Sequence, residues 1–183
     1  MSGAIDTPIA STVVADFGNA YSAVDSLNPA CDGVVPITSA TLAPGVYCAP
    51  AAVTLGAGVI FTLSGTANDV WVFRIGTLGT GALTGTGFQV VMSSSAQACN
   101  VYWRTADAAT LTDSDFKGTI LSGAAITTTR GSYEGRALSS TNVTVTNAAP
   151  MLGCAASASI TVNKSFSPVS GATVPVALTC TSG

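Results

Sequence analysis

The chain has no histidine and a single glutamate, Glu134, among its 183 residues. The side chain that most often serves as a general base near neutral pH, and as a neutral metal ligand, is therefore missing, and most hydrolytic and zinc chemistry goes with it. Charge of either sign is scarce. Six Lys and Arg with nine Asp and Glu make up 8% of the residues, about a third of the ~25% of an ordinary domain. A net charge of -3 leaves no basic patch for phosphate, which excludes nucleic acid as a partner. Although 48% of residues are hydrophobic, Gly, Ser and Thr interrupt every apolar run before the ~18 to 20 residues that cross a bilayer, so membrane insertion is not expected. No CxxC pair is present for zinc or redox chemistry, and no metal or other cofactor is expected.

With so few charges, the solvated surface must be covered by something uncharged. That covering is threonine, with 25 copies, beside Ser and 19 Gly. One helix stands out near the start, where Ile9, Val13, Phe17, Tyr21, Val24 and Leu27 follow a 3.6-residue period along one side. Thr7 is placed to cap it with Pro8 at its first turn, and Asn28-Pro29 supplies the stop. Its apolar stripe predicts sideways packing on another element. After Pro29 the period changes, and β-branched residues alternate with Thr and Ser between Gly-containing corners.

This β region repeats itself. Phe116-Lys117-Gly118-Thr119-Ile120-Leu121 aligns with Tyr133-Glu134-Gly135-Arg136-Ala137-Leu138 at an offset of 17 residues, and the offset extends in both directions. It gives a column Ala109, Ile126, Val143, a column Thr110, Thr127, Thr144, then Leu111, Thr128, Val145, then Thr112, Thr129, Thr146. Successive side chains on a strand point to opposite faces, so the apolar columns are predicted to go inward and the two threonine columns outward. Thr84 and Thr86 repeat the outward pattern upstream, less regularly, as does Thr54. A period of 17 is too short for a propeller blade or a βα unit and suits one coil of a β-solenoid.

Five cysteines in this setting are read as disulfide formers in an oxidising compartment. Cys31 and Cys48 bracket the loop between the helix and the first strong strand and are the first candidate pair, Cys99 with Cys154 is the second, and Cys180 is left over. Residues 154–183 change character, with short alternating stretches such as Ile160-Thr161-Val162 and Val174 to Cys180. The organisation expected is a β-solenoid domain over 1–153 and an incomplete second small β domain from 154, which would serve cell-surface partners. No signal peptide is visible at Met1-Ser2-Gly3, so a secreted or cell-surface protein without its leader is the reading.

In its residues the chain resembles the widespread microbial ice-binding protein family. The matching segments are Leu42-Ala43-Pro44-Gly45-Val46-Tyr47, Val72-Phe73-Arg74-Ile75-Gly76, Ala96-Gln97-Ala98-Cys99-Asn100-Val101-Tyr102-Trp103, Phe116 to Leu121 and Gly135-Arg136-Ala137-Leu138, in the family's order and spacing from about Gly3 to about Pro150. The resemblance implies an irregular right-handed, three-faced β-helix with one long α-helix alongside. It also implies adsorption to ice, without catalysis. Family members carry a strand-rich segment ahead of the helix, so the chain is expected to lack a coil and part of its capping. The family's Thr-Gly-x-Thr type positions before the aromatic-x-Gly here read Asp113-Ser114-Asp115 and Arg130-Gly131-Ser132.

A charge orders water around itself, so those motif positions are the weaker surface. The stronger one is the pair of columns Thr110, Thr127, Thr144 and Thr112, Thr129, Thr146, extended by Thr84 and Thr86. Against this stands the plain reading that threonine suits any exposed strand, and with it a non-ice-binding surface or adhesion module on the same scaffold. Asp113 and Asp115 invite an acid and base reading like that of β-helix polysaccharide-cleaving enzymes. Two residues apart on a corner, with only Lys117 close in sequence, they read better as a solvated turn. Lys117 and Glu134 share a column and are placed to pair, Asp69 and Arg136 read as corner groups, and Trp71, Phe73, Phe88, Tyr102 and Trp103 read as core and helix packing.

Overall fold

The computed structural model describes residues 11–26 and 31–147. One α-helix, α1 (Ser11–Asp25), precedes fourteen strands that are all paired in parallel. In chain order they are β1 (Gly33–Val34), β2 (Ala40–Leu42), β3 (Gly45–Ala49), β4 (Val53–Leu55), β5 (Ile60–Gly65), β6 (Trp71–Ile75) and β7 (Leu83–Thr86). They continue with β8 (Gln89–Ser94), β9 (Val101–Thr105), β10 (Ala109–Lys117), β11 (Thr119–Ser122), β12 (Ile126–Glu134), β13 (Ala137–Ser139) and β14 (Val143–Thr146). A six-stranded sheet runs β1-β3-β6-β9-β11-β13, and an eight-stranded sheet runs β14-β12-β10-β8-β5-β2 with β4 and β7 joining it through β10. Each pass of the chain thus lays a strand against the pass before it.

The second sheet forks at β10. Residues Ala109 to Thr112 pair with β7, whereas Asp115 pairs with Gln89 of β8. The strand changes direction between them because Asp113 has φ 51°, and Gly87, Arg130 and Asn147 turn the same corner in neighbouring passes with φ of 64°, 55° and 50°. Such left-handed residues re-aim the chain without breaking the stack. A second kind of corner lies at Gly118, whose φ of 117° and whose 2.8 Å gap from an added Cβ to the Val101 carbonyl oxygen exclude any side chain. This accounts for the glycine of the aromatic-x-Gly repeat.

Inside, the aromatic residues stack from pass to pass. Phe73 lies 3.9 Å from Trp103 between ring centres, Trp103 lies 5.1 Å from Phe116, and Phe116 lies 5.0 Å from Tyr133. Trp71, Phe73, Phe88 and Trp103 are wholly buried, and the indole nitrogens of Trp71 and Trp103 donate to the carbonyls of Leu42 and Lys117, both at 3.1 Å. The apolar columns are inward where another pass covers them: Leu83, Ala109 and Ile126 are fully buried. Val143 and Val145, in the same columns on the outermost described strand, are 41% and 46% exposed.

The helix differs from the sequence expectation. Residues 11–16 are all exposed, including Val13 of the predicted stripe, and only Phe17, Tyr21, Val24 and Asp25 are half-buried. Its contact with the first sheet is polar as well as apolar. Val24 and Tyr102 pack with Val46, Cys48 and Val72, while Tyr21 donates to the Thr105 carbonyl at 3.0 Å and lies under the Arg104 guanidinium at 4.7 Å. Asp25 faces both Arg104 at 3.2 Å and Arg74 at 3.6 Å, and Arg74 also donates to the Asp25 carbonyl. Cations at a helix C-terminus are favourable on dipole grounds. The predicted cap at Thr7-Pro8, the stop at Asn28-Pro29 and the second domain from residue 154 lie outside the described residues. Among those described, no helix is long and apolar enough to cross a membrane.

Cys31 and Cys48 form a disulfide that ties the chain entering β1 to β3. Cys99 is half-buried, and Cys154, the partner expected for it, lies outside the described residues. Closing a separation of 17 residues stabilises by about 3 kcal/mol. Cys31→Ser with Cys48→Ser should therefore lower the unfolding free energy by about that amount in urea titrations, and an unchanged midpoint would contradict a structural role. A second test concerns Thr128, whose buried hydroxyl has no hydrogen-bond partner among the described residues. Thr128→Val keeps the shape and removes an unsatisfied group, so it should raise stability by about 1 kcal/mol, read as a higher calorimetric melting temperature; a lower one would argue for a hidden partner.

Candidate functional site

One arm of the forked sheet is made by β4, β7, the first halves of β10 and β12, and β14. Thr84 pairs with Thr110, Thr110 with Thr127 and Thr127 with Thr144; Thr86 pairs with Thr112, Thr112 with Thr129 and Thr129 with Thr146. The eight threonines singled out in the sequence are thus brought together in two adjacent columns. Thr84, Thr86, Thr110, Thr144 and Thr146 are exposed, and Thr112, Thr127 and Thr129 are half-buried. Parallel pairing spaces the rows by about 4.8 Å, and alternation along each strand spaces the columns by about 6.7 Å.

Thr54, whose outward pattern the sequence shows without placing it in either column, joins the array. Thr54 of β4 is exposed and pairs with Thr84, which lengthens the first column by a row. The signal was present in Val53-Thr54-Leu55, but the intervals from 54 to 84 and from 84 to 110 are longer than 17 because loops widen these passes. Thr144 accepts a hydrogen bond from Asn142 Nδ2 at 3.2 Å. The other hydroxyls of the two columns have no partner among the described residues, which leaves them to water.

No charged side chain occupies either column. Asp113 and Arg130 stand at the corner beyond Thr112 and Thr129, where Arg130 donates from Nε and Nη2 to the two Asp113 carboxylate oxygens, both at 2.6 Å. The bidentate pair neutralises both groups where the sheet turns away. On the other arm, Asp115 accepts from Ser132, and Lys117 reaches Glu134 at 3.0 Å and Asp115 at 3.9 Å. The two aspartates therefore serve different arms, each already engaged, and do not converge on a common cleft as an acid and base would.

Comparison with known proteins gives a consistent result. The family model described as Ice-binding-like matches residues 2–150. An ice-binding protein, K3-B1, of Typhula ishikariensis is 38% identical over 126 residues, which is 65% of this chain and 49% of that protein. An ice-binding protein of Flavobacterium frigoris is 37% identical over 120 residues, covering 63% of this chain and 41% of the relative. The chain thus spans half or less of these relatives' length. Among solved structures, the DUF3494 domain of Shewanella frigidimarina ice-binding protein 1 superposes with a TM-score of 0.68 at 30% identity, over 82% of this chain and 68% of that one.

The corner pair yields a pH prediction. Hydrogen bonds from Arg130, reinforced by its charge, hold the Asp113 carboxyl below its ordinary range. A carboxylate depressed on folding adds stability above its unfolded pKa of about 3.9, and that contribution is lost as pH falls through the lower folded value. In Arg130→Gln, the Asp113 titration followed by carboxyl carbon NMR should return to the ordinary range; no movement would mean that the pair does not persist in solution.

Proposed function

Because the chain belongs to the Ice-binding-like family, we propose that it adsorbs to ice through the threonine columns of the forked sheet and so restrains crystal growth or recrystallisation. The observation that carries the reading is the charge-free array Thr84, Thr110, Thr127, Thr144 beside Thr86, Thr112, Thr129, Thr146 in parallel register. Each threonine presents a methyl group that water does not hydrate strongly and a hydroxyl that bonds it. A single contact is weak. Repetition on a rigid backbone lets a layer of water adopt a regular arrangement over the whole arm and merge with a crystal, and the stacked aromatic core supplies the rigidity.

The two arms and the helix-bearing sheet would be the three faces of a right-handed β-helix, with residues 1–153 as its domain and a second small β domain starting at 154. The action is extracellular, in keeping with the Cys31–Cys48 disulfide, and involves no catalysis. A second reading, a surface or adhesion module on the same scaffold, is favoured by Asp115, Lys117 and Glu134 on the other arm, where paired charges suit a protein or cell-surface partner better than a crystal.

Thermal hysteresis and ice recrystallisation assays separate the two. Thr127→Tyr or Thr129→Tyr should abolish activity by lifting the array off the crystal, and Thr127→Ser should weaken it through loss of the methyl. The folding free energy should move by no more than about 0.5 kcal/mol, as for most surface changes. Full activity in correctly folded Tyr variants would show that these columns are not the adsorbing surface, and an inactive parent chain would favour the adhesion module.

A further inference from the structure

The second arm is not charged throughout. Its outward positions in the earlier passes are Ser39, Thr41, Ile60, Thr62, Gln89 and Val91, and the charges begin only where β8 meets β10. Pairing aligns them as it aligns the first arm: Thr41 with Thr62 and Thr62 with Val91, beside Ile60 with Gln89. The Thr41, Thr62, Val91 column keeps one β-branched shape in three rows, with a methyl in each and a hydroxyl in two. Ser39 is bonded into the row below it, accepting from the Ile60 amide at 2.9 Å and donating to the Gly58 carbonyl at 3.3 Å. An open depression of about 320 Å³, lined by Ser39, Ala40, Thr41, Ile60 and Thr62, offers hydroxyls to water on uncharged ground.

This patch adjoins the threonine array directly. In the pass of β7 and β8 only Gly87 and Phe88 separate Thr86 from Gln89, and Phe88 is wholly buried. The Gly58 amide donates to the Gly87 carbonyl at 3.2 Å and the Gly87 amide to the Thr112 carbonyl at 2.8 Å, so the hydrogen-bond ladder continues around the corner. In the passes of β10 and β12 the same corner carries Asp113 and Arg130 instead. Among the described residues, the uncharged surface thus wraps from one arm to the other at the glycine-bearing passes.

We infer that Thr41, Thr62 and Val91, with Ser39 and Ile60, form a second ice-adsorbing patch on the adjoining arm, so that the molecule engages crystal water on two planes at an angle. The inference rests on the adsorption reading above. Lys117 and Asp115, next in the same columns as Val91 and Gln89, set its limit, because each holds its own hydration shell.

The test uses the full chain fused to a fluorescent protein, adsorbed to a single-crystal ice hemisphere, with thermal hysteresis measured in parallel. The parent should label two sets of planes. Thr62→Tyr, and independently Val91→Lys, which extends the Lys117 charge onto the patch, should erase one set and reduce hysteresis without abolishing it, while Thr127→Tyr should erase the other. Labelling left unchanged by both folded patch variants would overturn the second patch, and Thr127→Tyr alone would then judge the first. Complete loss in the patch variants with none in Thr127→Tyr would overturn the two-plane arrangement and move adsorption to the second arm alone. A parent that labels no plane would overturn both readings.

Discussion

Parallel in-register stacking is the constraint on which the rest of the molecule depends. Once each pass must hydrogen-bond to the pass before it, every residue is placed directly over its counterpart, and chemical identity runs in columns. An inward column must then be filled by side chains that tolerate like neighbours about 4.8 Å away, which aromatic and aliphatic groups do by stacking. Phe73, Trp103, Phe116 and Tyr133 form such a run through the core. An outward column of one residue type becomes a surface with a repeat along two directions. The threonine array is thus a product of the same register that builds the core.

Stacking also restricts where charge can go. Like charges one above another repel, and the chain meets this by alternating sign or by bringing a counter-ion from elsewhere. Lys117 lies over Glu134 and Asp113 over Arg130. Arg74 pairs in register with Arg104, and these two cations are held by Asp25 at the end of the helix and, for Arg104, by the carbonyls of Ile75 and Gly76. The helix is thereby located by a few directed contacts near its C-terminus. An amphipathic seam along its whole length is not needed, which fits the exposure of Val13 and Val14.

The scarcity of charged residues takes on meaning through this geometry. Fifteen charged side chains spread evenly would leave few uncharged areas of useful size. Among the described residues they gather at corners, on and beneath the helix and on one end of one arm, which leaves a continuous uncharged area on the forked sheet. The left-handed residues Gly87, Asp113, Arg130 and Asn147 gather the bend into a single column at the edge of that area.

The sequence by itself determined the helix, the parallel coil with its 17-residue offset, the inward and outward alternation, and the two threonine columns from Thr110 to Thr146, because successive passes of equal length turn register into a visible repeat. Phe116 and Tyr133 with their glycines marked the corners for the same reason. Tertiary structure alone decided that Thr54 stands in line with Thr84, since loops of unequal length between the early passes erase any constant interval. It decided that Thr112 and Asp115 belong to different arms, because a single left-handed φ at Asp113 splits what reads as one alternating strand. It also decided that Asp25 gathers Arg74 and Arg104, a contact across more than forty residues that no local pattern encodes, since it arises only when the sheet has formed and the helix lies down on it.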